Sequence, residues 1–396
     1  MSTSLHSSLP ASFKRTQSIA LLSALRSYPV AVVTGPRQAG KSTMLRTALP
    51  HWTMVSLEDL DLRNFALADP RGFLRQYPPP LVIDEAQYVP ELFSYIQGLV
   101  DESGGMGQYV LSGSQQFSLL AGVTQSLAGR AALIELYPMR LHELAAAGRL
   151  PNSLDELLFI GGYPALYARD VPPTRYHADY VRTYIERDVR TLTAVQDLGT
   201  FQRFMRLCAA RTGQLLNLNS LANDCGISQP TANAWMNVLE ASYVVKRVAP
   251  YFRNYGKRLV KAPKLFFLDT GLCAWLLGIQ NPDQLASHFA RGALFETLVV
   301  TEALKWQAAF AHGQPVYYWR DNIGNEIDVL IETSQGLTLV EVKSGQTFQN
   351  EWLRGLDTVA RHIGEPVKRA LVYGGDSAQS RGDIAVLGWR GLVAAG

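Results

Sequence analysis

The chain has little cysteine, no acid near its start and no long hydrophobic run. Its three cysteines, Cys208, Cys225 and Cys273, are scattered through 396 residues. That spacing excludes a disulfide framework and a thiolate metal site, and it fits a reducing cytosol. No stretch approaches the roughly 20 apolar residues that a membrane span needs. The first acid is Glu58, and Ile19–Leu25 form a short apolar run, a combination similar to a targeting peptide. The first core strand begins near residue 30 and leaves cleavage little room, so an N-terminal helix is expected there instead. Internal repeats and low-complexity tracts are missing as well. An excess of either charge is also lacking: 37 Lys and Arg against 34 Asp and Glu leave a net +3. So small a balance argues for nucleic acid only where cations cluster locally. A hydrophobic content of 47% with 18% charged residues is ordinary for a globular protein, and the length suits two or three domains. A cytoplasmic protein without a membrane segment is the expectation.

What is present starts with Val30-Ala31-Val32-Val33-Thr34, an apolar β-branched run leading into GPRQAGKS at 35–42. This fits the phosphate-loop pattern G-x-x-x-x-G-K-[ST] at every fixed position. The expected nucleotide contacts are Gly35, Pro36, Arg37, Gln38, Ala39, Gly40, Lys41, Ser42 and Thr43. Gly35 and Gly40 permit the backbone conformations that turn successive N–H groups toward phosphate oxygens. The following helix adds free N–H groups and a partial positive charge. Lys41 reaches the β- and γ-phosphates and the Ser42 hydroxyl ligates Mg²⁺, so ATP and Mg²⁺ are the expected cofactors.

Pro78-Pro79-Pro80 interrupts the chain, and Leu81-Val82-Ile83 then reads as a buried strand ending in Asp84-Glu85. Asp84 is placed to hold Mg²⁺, and Glu85 to orient and activate the attacking water. A third strand, Gln108–Leu111, ends in Ser112-Gly113-Ser114-Gln115. Ser114, and after it Gln115, is the candidate contact to the γ-phosphate or the water. Trp52–Leu57 and Leu133–Leu136 complete the strand set of a first domain over residues 1–150. Arg130, just ahead of the last strand, is the candidate arginine that senses the γ-phosphate, within its own subunit or as a finger into a neighbour. A plain surface arginine is the alternative.

These strand ends resemble those of a AAA+-type ATPase. The downstream sequence is similar to a broad family of mostly uncharacterised bacterial and archaeal ATPases with a C-terminal domain of unknown function, part of it restriction-endonuclease-like. The resemblance rests on TGPRQAGKST at 34–43, LVIDEAQ at 81–87, LSGSQQF at 111–117 and SLAGRAALIELYPMRLHEL at 126–144. It continues with YFRNYGKRLVKAPKLFFLDTGL at 251–272, RGALFETLVV at 291–300, YYWRDNIGNEIDVLIE at 317–332 and LVEVKSG at 339–345. The first three segments are specific for activity; the later ones mark the family and say little of its biology.

Residues 151–264 read as helical and winged-helix. A Gly161-Gly162-Tyr163-Pro164 turn precedes Arg175–Leu192, whose Tyr176, Tyr180, Val181, Tyr184 and Ile185 recur at helical spacing and suit a core. Leu218–Ala222, the turn Cys225-Gly226-Ile227, a Ser228 cap and a helix Gln229–Leu239 form a helix-turn-helix pattern. Gln229, Thr231, Asn233 and Asn237 would face outward, toward DNA or toward a protein partner. Between Lys246 and Lys264 stand seven cations (Lys246, Arg247, Arg253, Lys257, Arg258, Lys261, Lys264) and no acid, with Tyr251, Phe252 and Tyr255 interleaved. Such a segment suits branched or single-stranded DNA. The alternatives are an inward-packed wing or a domain-docking segment.

In residues 265–396 a hairpin turn at Gly324-Asn325 opens the strand Glu326–Ile331, and Leu337–Lys343 is the next strand. Period two puts Glu341 and Lys343 on one face. Asp328, Glu341 and Lys343 resemble the PD-(D/E)xK nuclease core, with Ile rather than Pro before the Asp, and Glu296 matches the helical acid of that fold. The resemblance implies Mg²⁺ shared by Asp328 and Glu341, with Lys343 stabilising phosphate charge or the attacking water. Scaffold use of the same fold is the alternative. The expected fold class is therefore α/β: an AAA+-type P-loop ATPase domain, a helical and winged-helix middle, and a restriction-endonuclease-like C-terminal domain. The expected function is Mg²⁺-dependent ATP hydrolysis coupled to binding or remodelling of DNA, with nuclease activity open. The contrasting reading is a nucleotide-gated regulatory or defence protein with a protein partner and an inert nuclease fold. A homo-oligomer is compatible with either, and Asp84-Glu85 weighs against a small-molecule kinase.

Overall fold

Five apolar runs in the first third pair into one parallel sheet: β1 (Val30–Thr34), β2 (Thr53–Ser56), β3 (Leu81–Asp84), β4 (Tyr109–Ser112) and β5 (Ala131–Glu135). Their spatial order is β2-β3-β4-β1-β5, and every pairing is parallel. The computed structural model describes residues 13–114, 119, 125–185, 197–251, 262–310, 315–333, 336–364 and 366–394. β1, β3 and β4 are buried at every position, because helices cover both faces of the sheet. Alternation divides β1 between them. Ala31 and Val33 pack with Leu21, Met44 and Leu45 on one side, while Val30 and Val32 pack with Phe73, Phe93 and Ile96 on the other. Parallel pairing then brings the C-terminal ends of β1, β3 and β4 to a single edge, where the motif residues lie.

The middle region runs helix Leu198–Ala209, β6 (Gln214–Leu215), helices Leu218–Cys225 and Gln229–Ala241, then β7 (Val245–Val248) and β8 (Lys264–Phe267). These strands form an antiparallel sheet in the order β6-β8-β7. Gly226 ends the first of the two short helices at φ 71°, and Ser228 Oγ accepts the Thr231 N–H at 3.2 Å as the cap of the next. The segment read as one long helix from Arg175 begins at Pro173, is α-helical to Tyr180 and continues as a π-helix over Val181–Ile185; its end at Leu192 lies outside the described residues.

The last third places helix Arg291–Phe310 before β9 (Val316–Arg320), β10 (Glu326–Thr333) and β11 (Gly336–Lys343). Helix Arg354–Ile363 follows, then β12 (Val367–Tyr373), β13 (Gln379–Arg381) and β14 (Ile384–Gly388). The sheet order is β13-β14-β12-β11-β10-β9. β9, β10 and β11 are antiparallel, whereas β11, β12 and β14 run parallel. One continuous apolar cluster takes in Trp235 and Phe266 of the middle region, Phe295, Val329 and Trp389 of the last third, and also Phe13 and Tyr137. The middle and last thirds thus share a core, while the N-terminal sheet keeps its own on each face. No described helix is long and apolar enough to cross a membrane.

Candidate functional site

The phosphate loop is built from backbone conformations its sequence allows. Gly35 sits at φ 148° with no room for a side chain, since a Cβ would lie 2.0 Å from the Leu136 carbonyl oxygen. Gln38 takes φ 60° and Gly40 φ 93°, a succession that turns amides inward. Gly40 is the N-terminal cap of helix Lys41–Ala48. Lys41 Nζ donates to the Gly35 and Pro36 carbonyls, both at 2.9 Å, so its ammonium already lies across the loop. Arg37 and Ala39 are buried in it.

Across the loop, Asp84 gathers two hydroxyls. Ser42 Oγ donates to Oδ2 at 2.6 Å and Ser112 Oγ to Oδ1 at 2.5 Å. Two oxygen donors beside a helix start suit a hard divalent cation, so Ser42 and Asp84 fit Mg²⁺. Glu85, in the left-handed region at φ 54°, accepts from Ser114 Oγ at 3.2 Å and from Gln87 Nε2. Gln87 is an addition to the expected set. Gln115 lies outside the described residues. Beside the loop, Phe13, Gln38, Gly40, Thr43, Met139 and Pro164 help line a cavity of about 260 Å³. Its apolar walls and its position suit the nucleoside.

Arg15 was not singled out by the sequence, yet it braces this loop. Its buried guanidinium donates to Glu143 Oε2 at 3.0 Å, to the Ala39 carbonyl at 2.5 Å and to the Tyr137 carbonyl at 2.5 Å. Burial pushes the Glu143 carboxyl up, but the Arg15 charge and the N–H groups of Arg140 and Thr16 outweigh it and hold Glu143 below its usual value. A second bridge reaches the middle region. Tyr243, at φ 57°, places its hydroxyl 2.7 Å from Thr34 Oγ1 and donates to Glu135 Oε1 at 3.2 Å. Thr34 directly precedes Gly35. Burial, and then the Glu135 carboxylate, raises the Tyr243 phenol well above its usual range, which keeps it a proton donor.

Arg130 is a correction to the expected site. It precedes β5, and Val30 pairs with Ala131 while Thr34 pairs with Glu135. Arg130 therefore lies at the sheet edge opposite the phosphate loop, six residues or about 20 Å from it along the strand. Both ends of its guanidinium are taken by Asp101, at 2.5 and 2.8 Å. A sensor role within its own subunit is excluded by that placement.

The middle region keeps Gln229 and Asn233 exposed and Thr231 half-buried. Asn237 does not face outward freely: its Oδ1 accepts from Arg247 Nη2 at 2.9 Å, and Glu240 holds the same guanidinium. Tyr251 is buried against Tyr317 rather than presented to bases. Phe252, Arg253, Tyr255, Lys257, Arg258 and Lys261 lie outside the described residues.

In the last third, Glu296, Asp328, Glu341 and Lys343 come together. Asp328 Oδ2 accepts the Val342 N–H at 2.7 Å, and Lys343 Nζ donates to Glu341 Oε1 at 2.5 Å. Two further residues join them. Glu326 shares the Asp328 face of β10, a period-two signal already present in the sequence. Lys264, from β8, donates to Glu296 at 2.7 Å, pairs with Glu326 and lies 3.9 Å from Asp328. Burial pulls the Lys264 ammonium down, yet the three carboxylates together hold it above its ordinary value. Burial, and then Asp328, pushes Glu296 up to about 8 and Glu341 up to about 7.

The AAA domain profile matches residues 27–145, which hold the parallel sheet and the phosphate loop. Domains of unknown function DUF8612 and DUF4143 match residues 151–283 and 291–392. Uncharacterised proteins of Mycobacterium tuberculosis and Mycobacterium bovis are each 32% identical over 339 residues, 84% of this chain and 74% of theirs. Among solved structures, the Walker-type ATPase of Pyrococcus abyssi aligns with 68% of this chain and 99% of its own, at 16% identity and a TM-score of 0.44. AMPPCP-bound DnaA from Aquifex aeolicus aligns over 57% and 85%, at 14% identity and a TM-score of 0.30. The chain belongs to the same family as the two mycobacterial proteins, and in it an AAA-type P-loop ATPase domain is followed by two domains of unknown function.

Proposed function

We propose that the chain is a Mg²⁺-dependent ATPase whose nucleotide state is passed to a DNA-binding winged-helix region. The observation that carries this reading is the convergence of Lys41, Ser42, Asp84, Glu85 and Ser114 on one sheet edge. Lys41 exchanges the Gly35 and Pro36 carbonyls for β- and γ-phosphate oxygens as ATP enters. Ser42 and Asp84 would hold Mg²⁺, whose charge would offset that of the phosphates. Glu85, oriented by Ser114 and Gln87, takes the proton of the attacking water. Loss of the γ-phosphate loosens the loop after Thr34, and the Thr34–Tyr243–Glu135 bridge carries that change to the helices ahead of β7. Gln229, Thr231 and Asn233 offer polar groups to DNA there. Arg130 is available only to a neighbouring subunit, as a finger in an oligomer.

A second reading gains support from the basic segment. Arg247 is neutralised by Glu240, Lys264 is buried among carboxylates, and Tyr251 is packed away. These groups are lost to DNA, which favours a nucleotide-gated protein interface. ATP turnover with single-stranded, duplex and branched DNA separates the two. Stimulation that is absent in Lys41→Ala and Glu85→Gln supports the DNA reading; turnover indifferent to every DNA overturns it in favour of the protein one.

The last third is read as PD-(D/E)xK-like in fold. Supporting this are the order helix, three antiparallel strands, helix and parallel strand, and the meeting of Glu296, Asp328, Glu341 and Lys343.

A further inference from the structure

Among the described residues, Glu296, Glu326 and Asp328 are the carboxylates close enough to close on one ion, their ligand atoms lying within 4.8 Å of one another. A cation already stands there. Lys264 Nζ meets Glu296 at 2.7 Å, Glu326 in a direct ion pair and Asp328 at 3.9 Å, and the residue is only 3% exposed. Its neighbours in β8, Leu265, Phe266 and Phe267, are fully buried in the core shared by the middle and last thirds. The strand that delivers the ammonium is therefore part of the permanent packing rather than a loop that swings away. Tyr318 strengthens the junction, donating its hydroxyl to the Ala262 carbonyl just ahead of Lys264.

We propose that the Lys264 ammonium is the resident cation of this constellation, standing where a divalent ion would otherwise bind. The last third is then a nuclease-like fold that takes up no metal at Glu296, Glu326 and Asp328. Its carboxylates instead fasten the middle region to the C-terminal sheet through a buried ion cluster. The inference rests on the nuclease-like reading of the fold and is independent of the ATPase reading, which Lys41→Ala tests on its own.

The experiment is Mn²⁺ titration calorimetry on the full chain without nucleotide, comparing wild type, Asp328→Asn, Lys264→Met and Lys264→Met/Asp328→Asn. Wild type and Asp328→Asn are expected to bind Mn²⁺ identically. Lys264→Met is expected to gain one Mn²⁺ per chain that wild type and Asp328→Asn lack, and the double variant to lose it. Circular dichroism and thermal melts establish folding, with Lys264→Gln as the second variant. A chain that folds only once Mn²⁺ is added supports the proposal as directly. A wild-type Mn²⁺ site that Asp328→Asn abolishes overturns it, and so does a folded Lys264→Met that gains none. The wild-type comparison decides the matter even where no Lys264 variant folds.

Discussion

Replacing Arg15 with Ala strikes the phosphate loop from outside its motif. Arg15 is 5% exposed, and its guanidinium serves Glu143, the Ala39 carbonyl and the Tyr137 carbonyl at 2.5–3.0 Å. Its removal strands a buried carboxylate and two buried carbonyls. Glu143 keeps the Thr16 N–H at 2.6 Å and the Arg140 N–H at 2.9 Å, which softens the loss without replacing the charge. Breaking a buried pair from one side costs about 3–5 kcal/mol, and that range stands for the whole site because its parts are not additive. Lysine at the position restores charge but not the fork, so Arg15→Lys is expected to recover only part of the loss. Urea unfolding at pH 7 measures the stability, and a fluorescent ATP analogue measures affinity, which falls because Ala39 loses its anchor. The penalty has a pH signature. Glu143 titrates below its usual value when folded, so its contribution is present above about pH 4.3 and is lost as pH falls through the depressed folded value. The gap between wild type and Arg15→Ala should narrow there. A loss below about 1 kcal/mol with unchanged nucleotide affinity would refute the reasoning.

Tyr243→Phe removes the hydroxyl between Thr34 and Glu135; about 1–2 kcal/mol of stability is lost, ATP binding persists, and stimulation by the ligand of the middle region disappears. Retained stimulation in that variant would show the bridge to be only structural. Arg130→Ala leaves nucleotide affinity unchanged, and a fall in turnover that deepens with protein concentration, seen by diluting the enzyme, marks a finger between subunits. The raised carboxyls of Glu296 and Glu341 bind protons that the unfolded chain releases, so stability is fully present below about pH 4.3 and declines as pH rises through about 7 and 8. Asp328→Asn removes the charge that helps raise both, and should flatten that decline in urea midpoints taken from pH 5 to 8.

The phosphate-loop edge was legible because its residues act through local backbone geometry. Gly35, Gly40 and the strand run before them specify the turn without help from distant parts of the chain. Asp84 and Ser114 followed because a parallel sheet carries all strand C-termini to one edge. That same rule, applied to Arg130 at the beginning of its strand, would have placed it at the far edge. Arg15 and Glu143 left no signal, being 128 positions apart and ordinary in their own segments. In the sequence Lys264 is indistinguishable from the six other cations between Lys246 and Lys261. Only tertiary docking of β8 against helix Arg291–Phe310 reveals that it is buried among acids. Arg247 and Asn237 failed for a similar reason, since the hairpin return of β7 brings the guanidinium onto the helix. The convergence of Glu296, Asp328, Glu341 and Lys343 was readable from period two and motif order, but not what cation the cluster holds.

The central claim is hydrolysis of ATP at the edge formed by Lys41, Ser42, Asp84 and Glu85. It is tested most directly by steady-state turnover of Mg²⁺–ATP in wild type and Glu85→Gln, beside equilibrium binding of the nucleotide to both. The account expects Glu85→Gln to bind ATP as wild type does while turnover falls about 100-fold or more. Equal turnover in the two proteins, or no wild-type turnover despite tight Mg²⁺–ATP binding, would contradict it.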